Sequence, residues 1–200
     1  MAKGLVILLH GVGSSGDDLA GLGDHWAPAL PDVSFASPNA PYHFEHGAGW
    51  QWFSLAGITA ENRPARVAAA RTAFDQTLQA ILDQHQMSDS LDKVVLVGFS
   101  QGSIMALDTL VSGRWPVAGI VAFSGRLSSP APFTPALNTP ALVLHGMADD
   151  VIPVQESQAA ERRLRELGVN VTSQFEPGVG HTISAQGAQR AAEFIAAHLW

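Results

Sequence analysis

The pentapeptide Gly98-Phe99-Ser100-Gln101-Gly102 constrains the fold of this chain more than any other segment. It lies between the apolar run 94–97 and the mostly apolar run 103–107, which predict a buried strand before a sharp turn and a helix after it. A serine at the tip of such a turn is held in a strained backbone conformation that pushes its hydroxyl out above the sheet. Side chains at 98 and 102 would collide with the neighbouring strand and helix, so glycine is expected at both positions.

This context is typical of a nucleophile elbow, whereas the pentapeptide alone also fits a Gly/Ser turn without chemistry. The helix that begins after Ser100 directs its first amide groups at the serine hydroxyl, where they can stabilise developing negative charge. Ser100 is therefore the candidate nucleophile, and the position of its partners has to decide between the two interpretations.

Apolar runs that predict strands buried on both faces alternate with segments of helical periodicity, and no internal repeat is present. The predicted fold is a single-domain α/β sandwich over residues 1–200, a mostly parallel sheet flanked by helices without a large cap domain. The predicted strands are 5–9, 33–37, 94–97, 117–123, 141–144 and 169–175. The predicted helices run from Asn62 to about His85, from the pentapeptide to about Ser112, from Pro153 to Leu167, and over the last residues of the chain.

Composition limits the classes of function. With a net charge of −7 the chain is a poor partner for nucleic acid or for an anionic membrane surface. It contains no cysteine, which excludes disulfides, thiolate catalysis and Cys-ligated zinc. The first apolar run is too short for a signal peptide and no 18-residue apolar span exists, so we expect a cytoplasmic protein without integral membrane association. Nothing in the sequence indicates its oligomeric state.

Two loops are candidates for the surroundings of Ser100. Residues 10–18 form a glycine-rich loop after the first strand. A phosphate-binding motif is absent from it, so we interpret it as an oxyanion loop in which Val12 donates its backbone N–H beside that of Gln101. Residues 39–62 form a long aromatic loop near the predicted active site, which could be a wall of a substrate pocket or a small core of its own. The candidate acyl-chain wall comprises Trp50, Trp52, Phe53 and Leu55.

Polar residues follow three of the predicted strands at their carboxyl ends, where ligands of parallel sheets bind. They are Ser100, an aspartate at 149 or 150, and His181, in the chain order of the α/β hydrolases. An imidazole can take the proton of a serine hydroxyl, and a carboxylate on its other nitrogen fixes the tautomer. The residues alone do not separate Asp149 from Asp150, and the second carboxylate could cap the following helix.

Other histidines fit less well. His10 and His145 each end a strand, where a supporting role beside the site is expected. His43 and His46 lie in one loop without further ligands, so we expect no metal site.

Four motifs resemble those of the phospholipase/carboxylesterase family of α/β hydrolases, which includes the acyl-protein thioesterases. They are Leu9-His10-Gly11-Val12-Gly13, the pentapeptide around Ser100, the segment 145–153 and Gly180-His181. The resemblance spans nearly the whole chain, and Gln51-Trp52-Phe53-Ser54 is most similar to small bacterial esterases. It implies a serine hydrolase without a cofactor that acts on small-molecule carboxylic esters, with thioesters and lysophospholipids as further substrate classes, and it places the acid at Asp149.

One departure leaves the acyl preference open, because many members carry an aspartate where this chain has Ser54. Two alternatives remain beside the esterase. One is hydrolysis of another bond class on the same fold, such as that of a dienelactone or a peptide. The other is a binding module without catalysis, which an intact serine, aspartate and histidine disfavour.

Overall fold

A computed structural model describes residues 4–199, so residues 1–3 and 200 of the predicted domain lie outside it. The described strands are β1 (Gly4–Leu9), β2 (Val33–Ala36), β3 (Tyr42–His43), β4 (Trp50–Gln51), β5 (Val94–Phe99), β6 (Gly119–Phe123), β7 (Ala141–Gly146) and β8 (Val171–Glu176). Six of them form a parallel sheet in the order β2-β1-β5-β6-β7-β8, and β3 and β4 form a separate antiparallel hairpin.

Five α-helices cover both faces of the sheet. They are α1 (Gly16–Trp26), α2 (Arg63–Gln84), α3 (Gln101–Ser112), α4 (Val154–Glu166) and α5 (Ala185–Leu199). Buried residues of α2, α3 and α4 pack with Leu5, Ile7 and Leu9 of β1, whereas those of α1 and α5 pack with Val6 and Leu8. The alternation within β1 explains its unbroken apolar sequence, because each face of the strand meets a different helical layer. The predicted single-domain parallel α/β fold is confirmed.

A buried carboxylate ties α2 to α3. Asp108 of α3, whose side chain is fully buried, accepts two hydrogen bonds from Arg71 and one each from Arg114 and Ser129. Because each oxygen of this carboxylate has a charged donor, its burial is compensated.

Two elements differ from the sequence prediction. The segment 10–18 is not entirely loop, because α1 begins at Gly16 and Ser15 caps it by accepting a hydrogen bond from the Asp18 amide. The segment 39–62 is not entirely irregular, because it contains the β3-β4 hairpin. Backbone hydrogen bonds from Gly13 to Trp50 and from Trp50 to Ser14 join this hairpin to the loop after β1.

Candidate active site

Ser100 lies in the turn between β5 and α3 with φ +56°, a backbone conformation that residues with a side chain rarely adopt. The flanking glycines make this turn possible. A Cβ at Gly102 would lie 2.0 Å from the carbonyl oxygen of Leu9, and one at Gly98 would lie 2.5 Å from the backbone of Gly102. Both steric conflicts expected from the sequence are present, so this turn cannot form with larger residues at these positions.

His181 and Asp149 reach Ser100 from the ends of neighbouring strands. Asp149 follows β7, and His181 follows β8 in the loop before α5. His181 Nε2 lies 3.0 Å from Ser100 Oγ, and His181 Nδ1 lies 2.7 Å from Asp149 Oδ2. The structure thus brings the three side chains together in one hydrogen-bonded row, in which an imidazole can accept the serine proton while a carboxylate holds its other N–H.

Asp149 is positioned by its own loop. Its Oδ1 accepts hydrogen bonds from the amides of Val151 and Ile152, at 2.8 and 2.9 Å, and its side chain is fully buried. Burial alone raises the pKa of Asp149, but the hydrogen bonds from His181 and from these amides outweigh it and lower the pKa below its usual value. Asp150, the alternative from the sequence, is exposed.

Two buried histidines support the site from beside it. His145 Nε2 lies 2.6 Å from the Ile152 carbonyl and 3.2 Å from Asp149 Oδ2. The Nε2 of His10 accepts a hydrogen bond from the Ala40 amide, so its Nδ1–H donates to the Gly11 carbonyl. Burial lowers the pKa of both imidazoles and so favours their neutral forms.

The two candidate oxyanion donors line the same cavity as Ser100. Gln101 is the first residue of α3, where an amide has no carbonyl partner within its helix. Val12 lies in the loop after β1, next to Gly11, where a Cβ would lie 3.3 Å from that of Ser100.

A cavity of about 210 Å³ opens at Ser100. Phe53 and Leu55 of the predicted acyl wall line it, together with Val12, Ile58, Arg63, Ser100, Gln101, Ile104, Arg126, Val151 and Ile152. The loop 39–62 therefore supplies part of the wall, as one of the two interpretations of this loop expects.

Trp50 and Trp52 do not line this cavity, in contrast to the sequence prediction. The Trp52 side chain is buried in the core beside Phe74 and donates its indole N–H to the His10 carbonyl. Trp50 stacks on His43, with 4.3 Å between ring centroids. A tryptophan in an irregular loop can fill the core or line a pocket. Here the hydrogen bond from the indole N–H to the His10 carbonyl holds Trp52 in the core.

The Gln101 side chain has a role that the sequence did not predict. Its Oε1 accepts from the Trp52 amide at 2.7 Å, and its Nε2 donates to the Phe53 carbonyl at 2.8 Å. One buried amide therefore fixes the aromatic loop to the start of α3, and it positions Phe53 against the cavity.

Arg63 and Arg126 are cavity residues that the sequence prediction missed. Arg126 follows the carboxyl end of β6 by three residues, and the rule that pointed to Ser100, Asp149 and His181 could have found it. Arg63 is the first residue of α2, and its sequence context gives no such signal.

Within residues 4–199, no group of three or more His, Asp or Glu side chains is arranged to hold a metal ion. His43 and His46 instead contact aromatic rings. In the same part of the chain, every helix is too short or too polar to cross a membrane. The cytoplasmic location stays a prediction.

The parallel sheet, the turn at Ser100 and the chain order serine, aspartate, histidine define an α/β hydrolase. The model of the family described as Phospholipase/Carboxylesterase matches residues 1–199. The chain belongs to this family and is a carboxylic ester hydrolase, which confirms the resemblance read from the sequence.

Three similar proteins illustrate the relationship. Esterase YpfH of Escherichia coli (strain K12) is 34% identical over 97% of this chain and 82% of its own length. Acyl-protein thioesterase 1 of Neurospora crassa is 27% identical over 97% of this chain and 86% of its own. The crystal structure of esterase PE8 superposes with a TM-score of 0.88 and 36% identity, covering 98% of this chain and 93% of that one.

Proposed function

We propose that the protein is a serine esterase that hydrolyses small carboxylic esters through an acyl-enzyme. Ser100 is the nucleophile, His181 the general base and then acid, and Asp149 the carboxylate that orients the imidazole. The observation that carries this proposal is the row of hydrogen bonds from Asp149 through His181 to Ser100, which ends at a cavity.

In the first half of the reaction, Ser100 Oγ attacks the ester carbonyl while His181 Nε2 takes the hydroxyl proton. The negative charge that forms on the carbonyl oxygen is stabilised by the backbone N–H groups of Gln101 and Val12. His181 then gives its proton to the leaving oxygen, and the acyl group stays on Ser100. A water molecule, deprotonated by the same imidazole, releases the acid and restores the serine.

Replacing the nucleophile tests the proposal. Ser100→Ala should abolish nearly all hydrolysis of p-nitrophenyl acetate, leaving only the acceleration that binding and the oxyanion donors provide, about 10³–10⁴ over water. It should also abolish labelling by a fluorophosphonate probe. Ser90→Ala is the control, because Ser90 lies just before the short 3-10 helix Leu91–Lys93, does not line the cavity, and makes no capping hydrogen bond with its side chain. Native turnover in the Ser100 variant would disprove the assignment, and failure of the unaltered protein to react with the probe would favour a binding module.

The bond class needs a second measurement. The similarity to esterase YpfH and to an acyl-protein thioesterase supports oxygen esters first and thioesters second. A volume of about 210 Å³ lies below the usual range for ligand pockets, about 300–1,000 Å³, which favours short acyl groups. We expect acetate and butyrate esters to be cleaved faster than dodecanoate esters, and amides not at all. A profile of ester, thioester and amide hydrolysis against chain length measures this, and faster cleavage of long chains would contradict it.

A further inference from the structure

The cavity at Ser100 is positively charged, although the protein as a whole carries −7. Of the eleven described residues that line it, Arg63 and Arg126 are the charged ones. Seven of the others are apolar, namely Val12, Phe53, Leu55, Ile58, Ile104, Val151 and Ile152. Two guanidinium groups in so small and apolar a site need an explanation, because a guanidinium stays charged in proteins and its burial is unfavourable unless an acceptor or an anion compensates it.

Arg126 is not fully compensated by the protein. Its side chain is 16% exposed, and its Nε is buried without a hydrogen-bond partner. The nearest acidic partner is Glu156, which lies 3.6 Å from Nη1, too far for a good hydrogen bond, and is itself 41% exposed. Burial and the charge of Arg63 both lower the pKa of Arg126, whereas Glu156 raises it. This guanidinium therefore has donors that the described chain does not use.

Arg63 is free of acidic partners within 4 Å among residues 4–199, in contrast to Arg71 and Arg114, which both pair with Asp108. Glu156 offsets part of the charge of Arg126, so the two arginines leave a net positive charge at the cavity. One carboxylate on a ligand would match this charge, and its two oxygens fit the planar donors of a guanidinium.

We propose that the substrate is a small ester that carries a carboxylate, bound by Arg126 and Arg63 while its ester group lies at Ser100. This inference rests on the proposed esterase function and specifies its substrate class. The carboxylate belongs either to the acyl group, as in a half-ester of a dicarboxylic acid, or to the leaving group. The apolar residues that line the cavity then hold the short carbon chain between the two functional groups.

Pairs of esters that differ only in charge test the proposal on the unaltered protein. Monomethyl succinate and methyl succinamate compare a carboxylate with a carboxamide on the acyl side, and 3-acetoxybenzoate and 3-acetoxybenzamide do so on the leaving-group side. In one of the pairs, we expect kcat/KM to be about 10- to 100-fold higher for the anion, the effect of hydrogen bonds to a charged group. If the anionic ester had a kcat/KM equal to or lower than that of its neutral partner in both pairs, the proposal would be overturned.

Arginine variants show whether these two residues cause the preference. Arg126→Met and Arg63→Met should each lower kcat/KM for the anionic ester about tenfold or more relative to kcat/KM for the neutral ester in the same variant. Arg162→Met, at an exposed position of α4 outside the cavity, changes the net charge equally and should keep the preference. Should Arg126, whose side chain is mostly buried, be needed for folding, Arg63→Met alone decides. A preference that survives in Arg63→Met and in any folded Arg126→Met overturns the assignment.

The two proposals fail differently. Loss of the charge preference, with p-nitrophenyl acetate still cleaved and Ser100 still labelled by the fluorophosphonate probe, rejects the carboxylate site and leaves the esterase intact. Absence of both cleavage and labelling in the unaltered protein rejects the esterase, and the carboxylate site with it.

Discussion

Asp149 performs two tasks with its two carboxylate oxygens. One oxygen closes its own loop by accepting two backbone amides, and the other holds His181. Because the two amides hold one oxygen of the carboxylate within its own loop, the orientation of the Asp149 side chain does not depend on His181. The neighbouring Asp150 has no such contacts and is exposed.

Asparagine at these two positions should therefore have unequal effects. Asp149→Asn keeps the size of the side chain but presents the wrong group to His181 Nδ1, so kcat should fall about 10⁴-fold, as in other serine triads. Asp150→Asn should leave kcat close to that of the unaltered protein. Steady-state hydrolysis of p-nitrophenyl acetate measures both, and equal losses would contradict the role of Asp149.

Single residues were predictable where sterics or chain order constrain them. Gly98 and Gly102 follow from the shape of the turn, and His181 from its place after the last strand. Trp52 was not predictable as a core residue, because its burial depends on the His10 carbonyl, 42 residues away in the chain. Arg63 was not predictable as a cavity residue either, because it reaches the cavity from the start of α2, far in the chain from Ser100.

Among the elements, the contact between α3 and the aromatic loop matters most for the site. Gln101 makes it with its side chain, while its backbone N–H remains available at the cavity. The loop position is therefore coupled to the same residue that we propose as an oxyanion donor.

Gln101→Ala separates these two roles. The variant keeps the backbone N–H but leaves the Trp52 amide and the Phe53 carbonyl without their partner, and each such buried group costs about 1–3 kcal/mol. We expect a lower free energy of unfolding in urea, a lower kcat/KM from a displaced Phe53, and retained labelling by the fluorophosphonate probe. Gln84→Ala, at the exposed end of α2, is the control. An unchanged unfolding free energy would show that the side chain does not hold the loop.

Regular elements with a strong pattern were predicted well. The six apolar positions spaced along α2, from Val67 to Leu82, are all buried, and α4 lies between the predicted Pro153 and Leu167. Helix α1 was missed although Ser15, Asp18 and the apolar spacing Leu19, Leu22, Trp26 signal its start and its inner face. The β3-β4 hairpin was not predictable, since strands of two residues are too short to show alternation and depend on the loop after β1.

At the scale of the whole molecule, the buried neutral histidines link stability to pH. The folded-state pKa of His10 and of His145 lies below the unfolded value of about 6.5. Above that pH the two imidazoles are neutral in both the folded and the unfolded chain, so they do not change the free energy of unfolding. Below it the unfolded chain binds protons first, so stability falls as the pH drops from about 6.5 through the folded-state pKa values. Asp149, whose pKa is lowered in the folded state, causes a further loss of stability only in stronger acid, below about pH 3.9.

We therefore expect the free energy of unfolding to decrease between pH 7.5 and pH 5.5, by up to about 1.4 kcal/mol per pH unit for each histidine. His10→Asn can still donate to the Gly11 carbonyl but does not titrate, so its stability, although lower at pH 7.5, should change less over this range. His25→Asn, at an exposed position of α1, should keep the pH dependence of the unaltered protein. Identical pH dependence in all three proteins, measured by urea unfolding, would rule out this role for His10.

The order in which the ribosome makes this chain has a consequence for the loop after β8. His181 and α5 are synthesised after every strand of the sheet, and α5 covers the face formed by Val95, Val97 and Val121. A nascent chain that has already emerged past Ser100 consequently has an exposed apolar face and a serine with no base beside it. Synthesis of His181 and α5 would then complete the proposed triad and cover that apolar face together, so a translation product that stops before His181 should be both prone to aggregation and inactive.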